Sequence, residues 1–182
     1  FARLFGVDFR PDPYYTGRHA VQSTISDEGD DRLDRSILDR IHQINYQYEE
    51  VDALYHQAAR RLGLTDSAML VLYHLHDCGG ACPLRDIYHR SGASKQTVHS
   101  AIAGLERDGV VTLTQEGKHK RVHLTERGVR RAEETVGRVV RAEAAVYATW
   151  TEEELAQYVR LTERYIEGFR RQIERLGEEV GG

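Results

Sequence analysis

The segment 92–111 constrains the fold most, because it has the pattern of a turn, a capped helix, a glycine stop and the start of a strand. Ser94 is placed to be an N-cap whose hydroxyl accepts from an early backbone N–H. Val98, Ile102 and Leu105 have the spacing of one apolar helix face. Polar side chains lie off that face, towards the N-terminal end. Such a helix suits the major groove of DNA, whereas the alternative is an ordinary surface helix.

The residues after this helix favour the first interpretation. Two β-prone runs, 110–115 and 122–125, flank the polar segment 116–121, which contains Gly117 and predicts a β-hairpin. Three basic side chains lie at its tip: Lys118, Lys120 and Arg121. Pro83 suits the first position of the preceding helix. A helix followed by a basic hairpin predicts a winged helix-turn-helix.

The charge distribution is consistent with a DNA-binding segment. The whole chain carries −4, but residues 81–127 hold eight Lys and Arg against five Asp and Glu, so they carry +3 and the remainder −7. Attraction to phosphate is local, because salt screens charges within about 10 Å at 0.1 M. The sequence therefore predicts a weakly basic patch on an acidic protein.

Several other classes of protein are disfavoured. No apolar run is long enough to span a bilayer, the first residues lack a signal-peptide pattern, and two cysteines are too few for a disulfide framework. We therefore expect a cytoplasmic protein. No phosphate-binding glycine loop, paired carboxylate site or nucleophile–base set is present, so we expect neither enzyme activity nor a cofactor.

The chain is expected to be mainly α-helical with a small β-hairpin wing, an α+β class, with the winged helix-turn-helix flanked by long dimerisation helices. We assign residues 1–31 to a partly disordered N-terminal extension and 32–63 to an N-terminal dimerisation helix. Residues 64–127 form the predicted DNA-binding domain, 128–177 the C-terminal dimerisation helices and 178–182 a tail.

Long amphipathic helices are predicted on both sides of that domain. Apolar residues repeat at helical spacing from Leu33 to Leu62, and Gly63 ends this helix. After the wing, one helix is expected from Thr125 to about Ala148, and Thr151 and Glu154 form a capping-box pattern for the last helix. A homodimer would bury the spare apolar faces and read two half-sites of a DNA duplex, whereas a monomeric helical bundle is the alternative.

The sequence resembles the multiple-antibiotic-resistance regulator (MarR) family of winged-helix transcription factors over roughly residues 33–177. No single motif is specific, but the order and spacing of several together are. They are residues 62–72, 84–87, 92–98, 105–111 and 122–128.

The resemblance implies an obligate homodimer and usually a repressor that small molecules or oxidants release from a palindromic operator. The chain departs from the family in two places. The wing carries Glu116, Gly117 and Lys118 where the family usually has Asp-x-Arg, and Lys lacks the bidentate fork of Arg. The recognition helix has Ser100 and Gly104 where arginines are common, so either the operator contacts differ or affinity is lower.

The predicted DNA-contacting residues come from the helix and the wing. They are Ser94, Lys95, Gln96, Thr97, His99, Ser100, Lys118, His119, Lys120 and Arg121. Gln96 can pair with the N6 and N7 edge of adenine, and Lys95 can take guanine or phosphate. Thr97 has an alternative role in satisfying the helix start, and Arg121 could instead turn inward to pair with an acidic residue.

Two weaker sets of residues bear on what the protein senses. Cys78 and Cys82 could act as a redox pair, although core thiols are the more ordinary interpretation. A second set could line a cavity for an aromatic effector, although aromatics at helical spacing more often form core: His42, Tyr46, Tyr55, His56 and Tyr73. His74 and His76 project to different faces, so no metal site is predicted.

Three functions follow in order of preference. The first is a homodimeric DNA-binding regulator that is controlled by a small molecule. The second is a thiol- or metal-sensing regulator of the same fold. The third is a winged-helix module that binds proteins and not DNA, for which the low basicity of the recognition helix is the best support.

Overall fold

The computed structural model describes residues 35–180, with side chains to residue 177. The chain divides into two compact units, one ending at Gly137 and the other beginning at Arg138. The expected extension 1–31, Leu33 and the end of the expected tail lie outside the described residues.

The first unit begins with the long helix α1 (Arg35–Arg61), followed by α2 (Asp66–Asp77). Gly63 ends α1 as predicted, with a φ of +66° that a residue with a Cβ rarely adopts. Thr65 caps α2, because its hydroxyl accepts a hydrogen bond from the Ala68 N–H at 3.1 Å. The two helices are therefore joined by a short turn whose conformation these residues fix.

Helix α2 forms the centre of this unit. Its buried side chains cover most of its circumference: Met69, Leu70, Val71, Leu72, His74 and Leu75. A helix that is apolar almost all round must be surrounded by other elements. Each fully buried Leu contributes about 1.5–3 kcal/mol of transfer free energy, so α2 is the main source of hydrophobic stability here.

A strand that the sequence did not indicate follows α2. After Gly79 and Gly80, both with positive φ, strand β1 (Ala81–Pro83) pairs antiparallel with a strand of the wing. Pro83 is the residue before helix α3 (Leu84–Ser91), one position earlier than predicted. Three residues are too few to show the alternation by which strands are recognised, and the expected connection is instead part of the sheet.

The recognition helix α4 (Lys95–Arg107) leads into β2 (Val111–Glu116) and β3 (His119–Leu124). The sheet order is β1-β3-β2, with Cys82 opposite Val122 and Leu113 also opposite Val122. Strand β3 is longer than predicted and begins three residues earlier, β2 has the predicted length shifted by one position, and the turn shrinks to Gly117 and Lys118. The expected turn segment 116–121 is thus mostly strand.

The single helix expected from Thr125 to about Ala148 is wrong: it is two helices, α5 (Glu126–Glu134) and α6 (Val136–Tyr147). At the junction, Thr135 has φ −116° and ψ −90°, outside the helical region. Its hydroxyl donates to the Arg131 carbonyl at 2.6 Å, and a hydroxyl bonded back to its own helix competes with the regular ladder.

The second unit contains most of α6 and the helix α7 (Glu152–Val180), which continues beyond residue 177. The predicted capping box is present: the Thr151 N–H donates to Glu154 Oε2 at 2.8 Å, and the Glu154 N–H donates to Thr151 Oγ1 at 3.2 Å. The hydrogen bonds that the Thr151 N–H and the Thr151 hydroxyl donate to the Glu154 carboxylate lower the pKa of Glu154.

Both units expose apolar side chains on their long helices. On α1 they include Ile37, Ile41, Ile44, Val51 and Leu54; on α7 they include Tyr158, Val159, Tyr165, Ile166, Phe169, Ile173 and Leu176. Across the described part of the chain, no helix has both the length and the apolar character needed to cross a membrane.

Candidate nucleic-acid interface

The start of α4 is fixed by the turn before it. Gly92 has a φ of +63°, and the Ser94 hydroxyl accepts from the Thr97 N–H at 3.1 Å. Ser94 Oγ also lies 2.8 Å from Thr97 Oγ1. Both side chains are therefore engaged in holding the helix start, which is the alternative role anticipated for Thr97.

The buried face of α4 determines which side chains remain free for a ligand. Val98, Ile102 and Leu105 lie in the core as predicted. The opposite side leaves four polar side chains exposed: Lys95, Gln96, His99 and Ser100. An exposed row of this kind at the N-terminal end of a helix matches the way recognition helices present side chains to base edges.

The wing turn presents Lys118 at its tip. Gly117 has a φ of +59°, as the first central residue of a two-residue type II′ hairpin turn requires. Gln115 Nε2 donates to the Gly117 carbonyl at 2.8 Å, which stiffens the turn. His119 and Lys120 are exposed at the start of β3. The wing thus carries its basic side chains along one strand as well as at its tip.

The Arg121 side chain turns inward and pairs with an acidic residue, which is the alternative to a DNA contact that the sequence left open. Its Nε donates to Glu116 Oε2 at 3.1 Å, and its Nη1 donates to the Ala81 carbonyl at 3.5 Å. Arg121 therefore links β1, β3 and the end of β2, and part of its charge is already neutralised by a carboxylate. The same carboxylate lies 3.6 Å from His123 Nε2.

A groove of about 850 Å³ lies between α3, the start of α4 and the wing. We call it the basic groove. Its polar lining consists of Arg85, Tyr88, His89, Lys95, His99, Gln115, Glu116, Lys118, His119, Lys120 and Arg121. Five of these side chains are Lys or Arg, and one is a carboxylate. A trench with this charge balance is complementary to a phosphodiester backbone.

The groove brings together six of the ten predicted DNA-contacting residues: Lys95, His99, Lys118, His119, Lys120 and Arg121. Ser94, Gln96, Thr97 and Ser100 do not line it, although Gln96 and Ser100 are exposed on α4. Sequence reasoning missed Arg85 and His89, which line the groove from α3. Their i, i+4 spacing on a short amphipathic helix was the available signal.

Tyr88 connects the floor of the groove to the recognition helix. Its ring lies 5.7 Å from the His99 ring, centroid to centroid. Its hydroxyl is buried and has no hydrogen-bond partner among the described residues. Burial raises the pKa of Tyr88, so the hydroxyl stays protonated.

The residues considered for effector binding do not line the basic groove. Tyr46 is exposed and donates to Glu50 Oε1 at 3.0 Å, while His56 Nδ1 lies 2.8 Å from Asp66 Oδ2 and joins α1 to α2. His42 is exposed, and Tyr55 and Tyr73 are partly buried. Within residues 35–180 no group of three or more His, Cys, Asp or Glu side chains could hold a metal ion.

The helices and the wing have counterparts among known proteins. Residues 62–122, which begin directly after α1 and end within β3, match the family model described as MarR family. The resemblance to the MarR family is confirmed. The matched segment contains α4, the turn before it and most of the wing, and so includes every residue that lines the basic groove.

Solved structures extend the likeness to the flanking helices. A MarR family regulator from Neisseria meningitidis has a TM-score of 0.66 at 17% identity, covering 75% of this chain and 97% of that one. A MarR family protein from Bacillus stearothermophilus has a TM-score of 0.57 at 18% identity, covering 75% and 96%. BpsR of Bordetella bronchiseptica has a TM-score of 0.52 at 20% identity, covering 68% and 98%.

At these identities the likeness establishes the fold, and the mainly helical winged helix-turn-helix architecture is confirmed. No curated protein matches the sequence.

Proposed function

We propose that this MarR-type protein is a DNA-binding transcriptional regulator without enzyme activity. The observation that carries the proposal is the basic groove, where five Lys and Arg side chains from α3, α4 and the wing line one trench beside the recognition helix. Because the rest of the chain is acidic, this local concentration of positive charge orients the protein on a duplex.

The wing and α3 determine DNA affinity, whereas the start of α4 determines sequence specificity. Lys118 and Lys120 on the wing and Arg85 on α3 contact phosphates, which sets position and affinity. Gln96 and Lys95 at the start of α4 enter the major groove, where Gln96 pairs with adenine and Lys95 with guanine or phosphate. Ser94 and Thr97 support this geometry by capping the helix.

We further propose that the working form is a homodimer on a palindromic operator. The exposed apolar residues of α7 recur along one side of the helix, with Tyr165 and Phe169 stacked at a centroid distance of 5.7 Å. Apolar side chains in such a series are costly to leave in water, and a second copy of the chain would cover them. Sedimentation of the purified protein tests this directly: a monomer at micromolar concentration contradicts it.

The proposed regulation is repression that a small molecule relieves. Two proteins of this fold support an aromatic effector: DNA binding of BpsR is described as regulated by 6-hydroxynicotinic acid, and the organohalide-sensing RdhR has been solved with 2,4-dichlorophenol bound. In this chain the candidate contacts remain His42, Tyr46, Tyr55, His56 and Tyr73. A shift in melting temperature with either compound, lost in Tyr55→Ala and Tyr73→Ala, tests this.

The experiment for the main proposal is a fluorescence anisotropy titration. The probe is a labelled duplex from the region upstream of the protein's own gene, and the competitor is an unrelated duplex of equal length. We expect preference for the upstream duplex and a steep loss of affinity between 50 and 200 mM salt, by about 10³-fold or more for a protein that neutralises six or more phosphates. Absence of DNA binding at low salt would leave the protein-interaction module as the better interpretation.

A further inference from the structure

The two cysteines of the chain meet where α2 joins the sheet. Cys78 lies immediately after α2, Cys82 is the middle residue of β1, and their Sγ atoms are 2.9 Å apart. A disulfide bond has a length of about 2.05 Å, so the two sulfurs need to approach by less than about 1 Å to bond. Gly79 and Gly80, with φ of +69° and +97°, form the tight turn that brings them together.

The two thiols differ in environment. Cys82 is fully buried, and burial together with the hydrogen bond from Cys78 raises the pKa of its thiol to about 12. Cys78 is only partly buried, and Arg90 Nη1 lies 3.9 Å from its Sγ. Arg90 also pairs with Asp77 at 3.5 Å, which holds the guanidinium beside the sulfur. Cys78 is therefore the sulfur that an oxidant reaches first.

We propose that Cys78 and Cys82 form a reversible intramolecular disulfide on exposure to a hydroperoxide, and that this bond weakens DNA binding. The Cys78 sulfur attacks the terminal peroxide oxygen, the O–O bond breaks, and water or an alcohol leaves after protonation. Cys82 then displaces the hydroxyl of the Cys78 sulfenic acid, forming the S–S bond and releasing one water. Two thiols are oxidised and one peroxide is reduced.

The position of the pair connects the bond to the basic groove. Cys82 is hydrogen-bonded into the sheet opposite Val122 of the wing strand, and it directly precedes Pro83. Pro83, Leu84 and Arg85 line the groove. Pulling the Cys82 sulfur towards Cys78 therefore displaces the start of α3 relative to the wing. The second part of the inference rests on the proposed DNA binding, whereas the disulfide itself does not.

The first experiment measures the bond without DNA. The reduced full chain is treated with hydrogen peroxide, and free thiols are counted under denaturing conditions before and after addition of dithiothreitol. We expect two thiols to fall to none and to return, with the protein running as a monomeric band on a non-reducing denaturing gel. Cys78→Ser and Cys82→Ala each leave one thiol and should form no internal bond. Retention of both thiols, thiol loss that dithiothreitol does not reverse, or a cross-linked dimer overturns the inference.

The second experiment measures DNA affinity of the same samples by anisotropy. We expect oxidised wild type to bind at least fivefold more weakly than reduced wild type, and both single-cysteine variants to bind as reduced wild type does after the same treatment. Equal affinity of the reduced and the disulfide-bonded protein overturns the coupling. Failure of the reduced protein to bind any DNA instead contradicts the proposed function, and the thiol count still decides whether the bond forms.

Discussion

Arg121 Nε donates to Glu116 Oε2 at 3.1 Å, and this ion pair lies within the lining of the basic groove. The partners come from different strands of the wing, since Arg121 faces Thr114 in the register and reaches along the hairpin to Glu116. Glu116 is the one carboxylate among the described residues that line the groove. It holds Arg121 and carries the charge that repels phosphate, so under the proposed function Glu116 limits the DNA affinity of the wing.

Replacing Glu116 by Gln should strengthen DNA binding. The change removes a negative charge from the groove, so that the charge of Arg121 is no longer neutralised by a carboxylate and attracts phosphate more strongly. Both side chains are at least a third exposed, so solvent screens the effect, and we expect a gain of roughly three- to tenfold in affinity at low salt. Anisotropy titrations at several salt concentrations should also show a steeper salt dependence.

The matched control is Glu106→Gln, because Glu106 is exposed on α4 and does not line the groove. It changes the net charge by the same amount. Equal gains in the two variants would mean that total charge and not the position of Glu116 matters.

Replacing Lys118 by Ala should weaken binding to all DNA sequences alike. Lys118 lies at the exposed tip of the hairpin turn, and under the proposed function it contacts phosphate and not a base edge. The slope of log affinity against log salt should fall by about one, as for the loss of a single phosphate contact. An unchanged slope contradicts the assignment; Arg127→Ala, an exposed cation on α5 away from the groove, serves as control.

The sequence predicted the recognition helix well because its signals are local. Ser94, the apolar spacing of Val98 and Ile102, and the glycine that ends the helix all act within a few residues. The same holds for the capping box at Thr151 and Glu154.

The remaining features depend on contacts between segments that are distant in sequence. Strand β1 exists because Cys82 pairs with Val122 forty residues later. A sequence of three residues is too short for a strand pattern to predict that pairing. Likewise, the direction of Arg121 depends on the position of Glu116 across the hairpin, and the contribution of Arg85 to the groove requires α3 to pack beside the wing. Periodicity alone placed Thr135 inside a helix that its hydroxyl interrupts.

The stability of the protein should fall in mild acid because of His74. This side chain is buried in α2, and neither ring nitrogen has a hydrogen-bond partner among the described residues. Burial, with a smaller contribution from Arg90, lowers the pKa of His74, while Asp77 acts in the opposite direction. The unfolded chain therefore binds a proton more readily than the folded one, so stability is full above about pH 6.5 and is lost as the pH falls towards the lowered folded pKa.

Urea unfolding at pH 8 and at pH 5.5 measures this effect. We expect His74→Leu, which keeps an apolar side chain of similar size in the core, to lose less stability between the two pH values than wild type does. Parallel curves for the two proteins would exclude His74 as the group responsible.

Two glycines in helices should respond in opposite ways to replacement by alanine. A Cβ at Gly128 of α5 would overlap the backbone carbonyl of Val110, which is fixed by a hydrogen bond from the Thr125 N–H. Gly128→Ala should therefore cost about 2–4 kcal/mol of unfolding free energy, because one of two backbone segments must move. At Gly104 of α4, the nearest atom to a Cβ is the flexible end of Arg107 at 3.8 Å. Gly104→Ala should stabilise the protein by up to about 1 kcal/mol. Urea midpoints of the two variants measure both effects, and a Gly128→Ala protein as stable as wild type would show that α5 does not pack this closely on the turn before the wing.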